Sequence, residues 1–349
     1  MKKITFLLTL SALLFIAPGC KDDDPEFADC WRVPNRSQLK LTVLEGPTIS
    51  LPAKVSIFFK VQDANNNPVG YLKEDNFVIY EKGLNDSCLR EISGFEAKRR
   101  ISGRAQVFNH TTLLVLDLSG SVVGATLQNL KTAALEFIDN AMPASPDNST
   151  KMGIYWFDGA DALHELEPIT NNITELKDAI NSISANMSND NSTDLFGAVI
   201  KSANLAKAVL ADNEDDDIIA AASVVIFTDG RDRANRYLRT DAYNAVSTAP
   251  PGITFFTLGV GNEINRIDLQ TIGKNGYAEA ATVTQLSAIF KQIASLVNNE
   301  ANSYYLFEYC SPIRNGTKNG LLIEAFDKNE VGYYQTEFDA TGFTGGCQL

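Results

Sequence analysis

The sequence predicts an α/β fold, a doubly wound and mostly parallel sheet with helices on both faces, joined to a small β-sandwich-like module built from its two flanks. Three observations predict it. Between residues 110 and 300, short continuous apolar runs alternate with amphipathic helical stretches, the pattern of parallel strands buried on both faces. In the flanks, 38–109 and 301–349, apolar residues alternate singly with polar ones, as in half-buried antiparallel strands. A chain of 349 residues, 44% hydrophobic and 21% charged, suffices for one large and one smaller domain.

The N-terminus reads as a leader. Met1-Lys2-Lys3 and the apolar stretch Ile4 to Ala17 have the charged and apolar regions of a secretory signal, too short for a transmembrane helix. The run into Ala17-Pro18-Gly19-Cys20 resembles a bacterial lipoprotein cleavage site, although Pro18 and Ala17 depart from its usual start. Residues 1–19 are therefore expected to be a signal peptide and Cys20 an acylated N-terminus. Lys21-Asp22-Asp23-Asp24 resembles the signal by which Bacteroidetes-type lipoproteins reach the outer face of the outer membrane; the plain alternative is a solvated acidic tether. Residues 20–37, punctuated by Pro25 and Pro34, are expected to be that tether. No other apolar run of about 18 residues occurs, so the lipid is the only membrane anchor expected.

From 38 to 109 the runs Leu39, Leu41, Val43, then Val55, Ile57, Phe59, Val61, then Phe77 and Ile79 predict antiparallel strands, with a turn at Asp63 to Pro68. In the large domain, strands are expected at 112–117, 152–158, 222–229 and 253–260, with an antiparallel edge strand at 162–169. Helices are expected at about 126–141, 173–184, 195–211, 238–247 and 285–299. The acidic run from Asp212 to Asp217 lacks the glycine and terminal glutamate of a calcium-binding hand, and reads as a solvated loop. Beyond 301, Tyr305, Phe307 and Tyr309, then Leu322, Ile323 and Phe326, then Tyr333 and Tyr334 resume strand alternation. Lone hairpins are marginal in water, so these strands are expected to pair with the N-terminal module.

Asp117-Leu118-Ser119-Gly120-Ser121 carries the strongest functional signal. It places a carboxylate and two hydroxyls on the turn where an apolar strand meets a helix. Hard divalent ions take such oxygen ligands in a near-octahedral shell. Thr193, at the start of one helical pattern, and Asp229, at the end of another buried strand, bring further oxygens to loops that gather at the carboxyl ends of the strands.

In that order these residues resemble the metal-ion-dependent adhesion site (MIDAS) of a von Willebrand factor type A domain, a Rossmann-like fold. Asp117, Ser119, Ser121, Thr193 and Asp229 match its five positions, and the resemblance covers about 110–300. More loosely, Val61 to Glu81 resembles the β region that precedes the A domain in a bacterial branch of the family. The resemblance implies that Ser119, Ser121 and Thr193 bind the ion by hydroxyls, while Asp117 and Asp229 act mainly through water. It implies a divalent cation, Mg2+ first, with Mn2+ or Ca2+ as alternatives, and a vacant position for a partner's Asp or Glu. Asp194 adds either a third negative charge near that position or a first-turn carboxylate that complements the helix dipole.

Other functions find less purchase. Net charge is −13, two units more negative without Lys2 and Lys3, and no basic run occurs, so nucleic acid and anionic membrane surfaces are poor partners. The two histidines, His110 and His164, have no nearby base or nucleophile in sequence, and Gly259-Val260-Gly261-Asn262 lacks the third glycine of a nucleotide loop. Neither an enzyme nor a small-molecule substrate is expected. Cys30, Cys88, Cys310 and Cys347 are expected in disulfides, as in exported chains. Three pairings exist; Cys30–Cys88 and Cys310–Cys347 are favoured because each lies within one flank and either loop closure contributes about 4 kcal/mol. A metal–thiolate site has no Cys-x-x-Cys spacing to support it. The expected function is a cell-surface lipoprotein that binds an acidic protein partner through a metal bridge; the alternative is a periplasm-facing envelope scaffold with a structural ion.

Overall fold

The computed structural model describes residues 39–103, 108–145, 148–214 and 219–349. The expected leader 1–19, lipidated Cys20, tether 20–37 with Cys30, and Asp215, Asp216 and Asp217 lie outside the described residues.

The described chain opens on the antiparallel hairpin β1 (Lys40–Ser50) and β2 (Lys54–Gln62), followed by β3 (Phe77–Lys82), β4 (Arg90–Ile92) and β5 (Arg99–Gly103). The α/β domain begins with β6 (Phe108–Asp117), a π-helical turn at Val122–Thr126 and α1 (Leu127–Ala141). It continues through β7 (Thr150–Phe157), β8 (His164–Thr170), α2 (Ile173–Ser182), α3 (Leu195–Glu214) and β9 (Ile219–Thr228). Then come α4 (Arg239–Ser247), β10 (Ile253–Val260), α5 (Arg266–Ile272), β11 (Gly276–Ala280) and α6 (Leu286–Ala301). The chain returns to antiparallel structure in β12 (Tyr304–Cys310), β13 (Asn319–Asp327) and β14 (Glu330–Phe338).

The central sheet runs β11-β10-β9-β6-β7-β8, parallel except for β8. β10 is buried at every residue, because helices cover both faces. On one face α1, α2 and α6 pack through Leu130, Phe137, Ile180 and Phe290; on the other, α3, α4 and α5 pack through Val199, Ala206, Val246 and Leu269. Strand order reverses between β6 and β9: β6 leads through α1 to β7 on one side, and β9 through α4 to β10 on the other. The loops leaving these two strands part over opposite faces, which opens a crevice at their carboxyl ends. Asp117 and Asp229 stand there.

The flanks form two further sheets, β1-β2-β12-β5 and β14-β13-β3-β4. β12 lies between β2 and β5, and β13 pairs with β3, so strands from both ends of the chain complete each sheet. Phe59, Phe77, Tyr305, Phe307 and Tyr309 fill the space between them. The alternate residues of β2 and β12, Phe58 and Tyr304, pack instead on Ala221 of β9. Lys60 and Glu300 add a buried ion pair of 2.5 Å to this seam, and the Tyr304 hydroxyl donates to Glu300 Oε1 at 2.7 Å. Cys310 is bonded to Cys347 with Cα atoms 5.7 Å apart. Cys88 is also disulfide-bonded, while Cys30, expected as its partner, is outside the described residues.

Several boundaries differ from the sequence expectation. α5 and β11, seven and five residues long, are too short to show a periodicity; α5 is specified instead by the Asn265 cap and buried Leu269 and Ile272. β4 and β5 likewise carry little pattern of their own. α3 extends three residues beyond the expected Ala211, taking in Asp212, Asn213 and Glu214, the first half of the acidic run.

Candidate functional site

β6 ends in a turn held by its own carboxylate. Asp117 Oδ1 accepts the Ser119 N–H at 2.9 Å, an Asx-type turn, and its Oδ2 accepts the Thr228 hydroxyl of β9 at 2.6 Å. Both groups are fully buried. Thr228 therefore ties the two strands at the switch point, a contact that the spacing of the motif did not reveal. One residue further, Asp229 Oδ1 accepts the Ser121 hydroxyl at 2.8 Å.

The third loop is pressed onto this turn. Gly120 N–H reaches the Asn191 carbonyl at 3.4 Å, and a β-carbon at Gly120 would stand 2.7 Å from Asn191 Oδ1, so any larger residue would have to displace the Asn191 side chain. Asp158, just after β7, organises the loop: its Oδ2 accepts the Ser188 hydroxyl and the N–H groups of Asn189 and Asp190 at 2.9–3.3 Å, and its carbonyl accepts Asp194 N–H at 2.8 Å. The Thr193 carbonyl accepts N–H bonds from Arg233 and Ala234 at 2.9 and 3.1 Å, and its hydroxyl lies beside Gly230. Asp117, Ser119, Ser121, Thr193 and Asp229 are thus assembled from three loops at one end of the sheet. Asp158 and Thr228, which hold those loops together, carry no motif and could have been found only from the expected strand ends.

Asp194 is different. Its Oδ1 accepts Gly197 N–H at 3.2 Å in the first turn of α3, and its Oδ2 lies 3.6 Å from Lys201 Nζ. Asp232 caps the same helix by accepting Phe196 N–H at 3.2 Å. The geometry is that of a first-turn carboxylate directed into its own helix.

Above the motif lies a cleft of about 460 Å³ whose walls include Ser121, Thr193 and Asp229, together with Arg233, Asn262 and Glu263. His110 and His164 are elsewhere: His110 Nε2 meets Ser223 Oγ at 3.0 Å in the core, and His164 stacks on Trp156 with centroids 4.0 Å apart.

Two observations test the fit of these residues to a cation. Ser119 Oγ is buried beside the Asp117 carboxyl without a hydrogen bond of good geometry, an oxygen of the kind a metal ion satisfies. Burial also pushes the Asp117 carboxyl up to about 7, and the charge of Asp229 adds to this against hydrogen bonds from Thr228 and Ser119. Asp229 is itself raised, chiefly by burial. A buried and a half-buried carboxyl that disfavour each other's charge lose that penalty beside a divalent ion. Among the described residues no group of three or more His, Cys, Asp or Glu side chains could hold a metal, so any cation here depends on hydroxyl oxygens, which suit hard ions.

Comparison with curated protein sequences finds no match. Among solved structures, proximal thread matrix protein 1 from the mussel byssus, solved with a zinc-occupied MIDAS motif, is 17% identical over 56% of this chain and 50% of its own, with a TM-score of 0.44. A von Willebrand factor type A protein from Catenulispora acidiphila is 10% identical over 90% of this chain and 75% of its own, TM-score 0.46. BatB from Bacteroides thetaiotaomicron is 19% identical over 54% of this chain and 98% of its own, TM-score 0.40. This chain spans about half the length of the mussel protein. A family model for the von Willebrand factor type A domain matches residues 113–295, more than half of the sequence, and the chain belongs to that family.

Proposed function

We propose that this protein captures an acidic side chain of a protein partner through a divalent cation held at the crevice between β6 and β9. Ser119, Ser121 and Thr193 would supply hydroxyl ligands, with Asp117 and Asp229 balancing the charge. Mg2+ is the first candidate, with Mn2+ and Ca2+ as alternatives of the same oxygen-loving class. The cation supplies a direct bond to an incoming Asp or Glu. The observation that carries this reading is the convergence of five motif residues from three loops at one end of the sheet, with Ser121, Thr193 and Asp229 on the walls of one cleft and the Ser119 oxygen buried without a hydrogen bond of good geometry. The reading assigns the protein no catalysis.

The same proposal places the chain outside the cytoplasm, anchored to the outer membrane by a lipid on Cys20 and displayed at the cell surface. The leader and the acidic tether in the sequence support this. Among the described residues no helix is long and apolar enough to cross a membrane.

A pulldown of surface and matrix proteins in Mg2+ and in chelator, with wild type and Asp117→Ala side by side, tests the binding mode. Capture is expected only from wild type in Mg2+. Equal capture by a folded Asp117→Ala protein in both conditions would rule out the metal bridge, and protease shaving of intact cells would check surface display.

A further inference from the structure

The cleft holds an ion pair that the MIDAS residues do not explain. Arg233 and Glu263 stand on its walls and meet across it as guanidinium and carboxylate, with side chains 51% and 65% exposed. Each backbone is fixed. Arg233 N–H donates to the Thr193 carbonyl at 2.9 Å, and its own carbonyl accepts the Asn235 amide at 3.0 Å. Glu263 is bracketed by Gly261, whose N–H donates to Ala280 at 2.8 Å, by buried Ile264, and by Asn265, which caps α5. Two anchored loops therefore present a long cation and a long anion to each other beside Ser121, Thr193 and Asp229.

We propose that Arg233 and Glu263 form an exchangeable carboxylate latch: Glu263 is the resting partner of Arg233, and the acidic side chain of a bound partner takes its place. This rests on the cation reading of the site. Guanidinium is a planar fork that suits carboxylate, so Arg233 offers a second hold on a group that also faces the cation. Exposed ion pairs of this kind are worth little in water, so the exchange is cheap. Charge favours it as well. The protein carries −13 overall and repels acidic partners at long range, and Arg233 is a half-exposed cation in the cleft that can meet them. Glu263 would then act as an internal competitor that sets a threshold for capture, and Arg233 as the residue that selects carboxylate over neutral oxygen ligands.

The test uses the full chain with Mn2+ and glutarate as probes. Mn2+ affinity is read by water-proton relaxation, and glutarate affinity by the relaxation lost when a carboxylate displaces water from the bound ion. Expected outcomes are Mn2+ constants within about twofold of wild type in Arg233→Ala, Arg233→Lys and Glu263→Gln. Glutarate is expected to bind about tenfold more weakly to Arg233→Ala, more weakly to Arg233→Lys, and several-fold more tightly to Glu263→Gln, with that gain absent in the double variant. Without any metal, the Arg233 Nε–Hε resonance should shift on Glu263→Gln. Unchanged glutarate constants in Arg233→Ala and Glu263→Gln, with normal Mn2+ binding, would overturn the latch and leave the cation reading standing. Failure of wild type to bind Mn2+ would remove the cation reading and the latch with it.

Discussion

Under the proposed cation site, a single atom of Ser119 bears on both stability and ion binding. A buried hydroxyl without a hydrogen bond costs about 1–3 kcal/mol, so removing it should not harm the metal-free protein. In chelator, Ser119→Ala is expected to melt at or above the wild-type temperature. If the proposed cation site holds, the order should reverse in Mg2+, because ligand binding stabilises the folded state in proportion to affinity and the variant would lack one of the proposed ligands. Thermal melts of both proteins with and without Mg2+ check this; a variant destabilised equally in both would assign Ser119 a purely structural role. Glu81 is the corresponding case in the β module. Burial pushes its carboxyl from 4.5 up to about 7, against the Tyr309 hydroxyl at 2.8 Å and the charges of Arg90 and Arg314. Folded protein thus keeps a proton that the unfolded chain has released, and its stability falls as pH rises between those values. Below 4.5 the contribution is complete, and above about 7 it is gone. Glu81→Gln stays neutral at every pH. Its urea midpoint should gain on wild type between about pH 5 and about pH 7.5, whereas a constant difference would show that Glu81 does not titrate there.

At the scale of elements, the site depends on how strands and helices are clamped beneath it. Phe290 of α6 is fully buried between Phe137 of α1, 6.0 Å between ring centroids, and Phe227 of β9, 5.6 Å. It joins two helices to the strand that ends in Thr228, just before Asp229. Phe290→Ala is expected to cost about 3–5 kcal/mol in urea unfolding, since this interlocked site has little freedom to collapse. A loss below about 1 kcal/mol would mean that the face repacks readily. The helix of the site is stabilised differently. α3 begins with two carboxylates, Asp194 and Asp232, accepting its first N–H groups, and this explains why a third acidic residue beside the motif does not face the cleft.

The whole molecule is threaded so that neither flank closes a sheet alone. β12 completes the sheet of β1, β2 and β5, and β13 completes that of β3 and β4. A fragment 39–103 is therefore expected to be unfolded by itself, with amide resonances that disperse when a 302–349 fragment is added. Dispersion from 39–103 alone would contradict this account. The seam of Phe58, Tyr304 and Ala221 with the Lys60–Glu300 pair then joins the sandwich to the end of the parallel sheet opposite the cleft, leaving the cleft uncovered.

Much of this was legible in the residues themselves. The strands ending at Asp117 and Thr228, the helix after Thr193, the alternation of β2 and β12, and the expectation that the two flanks pair all rest on local pattern and on the need to bury apolar faces. Such signals act over a few residues, so a sequence carries them whole. What touches what across the cleft is another matter. Ser121 meets Asp229 across a sequence separation of 108, and Arg233 meets Glu263 across one of 30. Asp158 holds the Thr193 loop from the end of another strand, and Asp194, one residue from the motif, faces its own helix. Strand order and the reversal between β6 and β9 bring these groups together or keep them apart. The sequence alone determined which oxygens were available to a cation, while only the tertiary structure decided which of them share a wall and which cation and anion face each other above them.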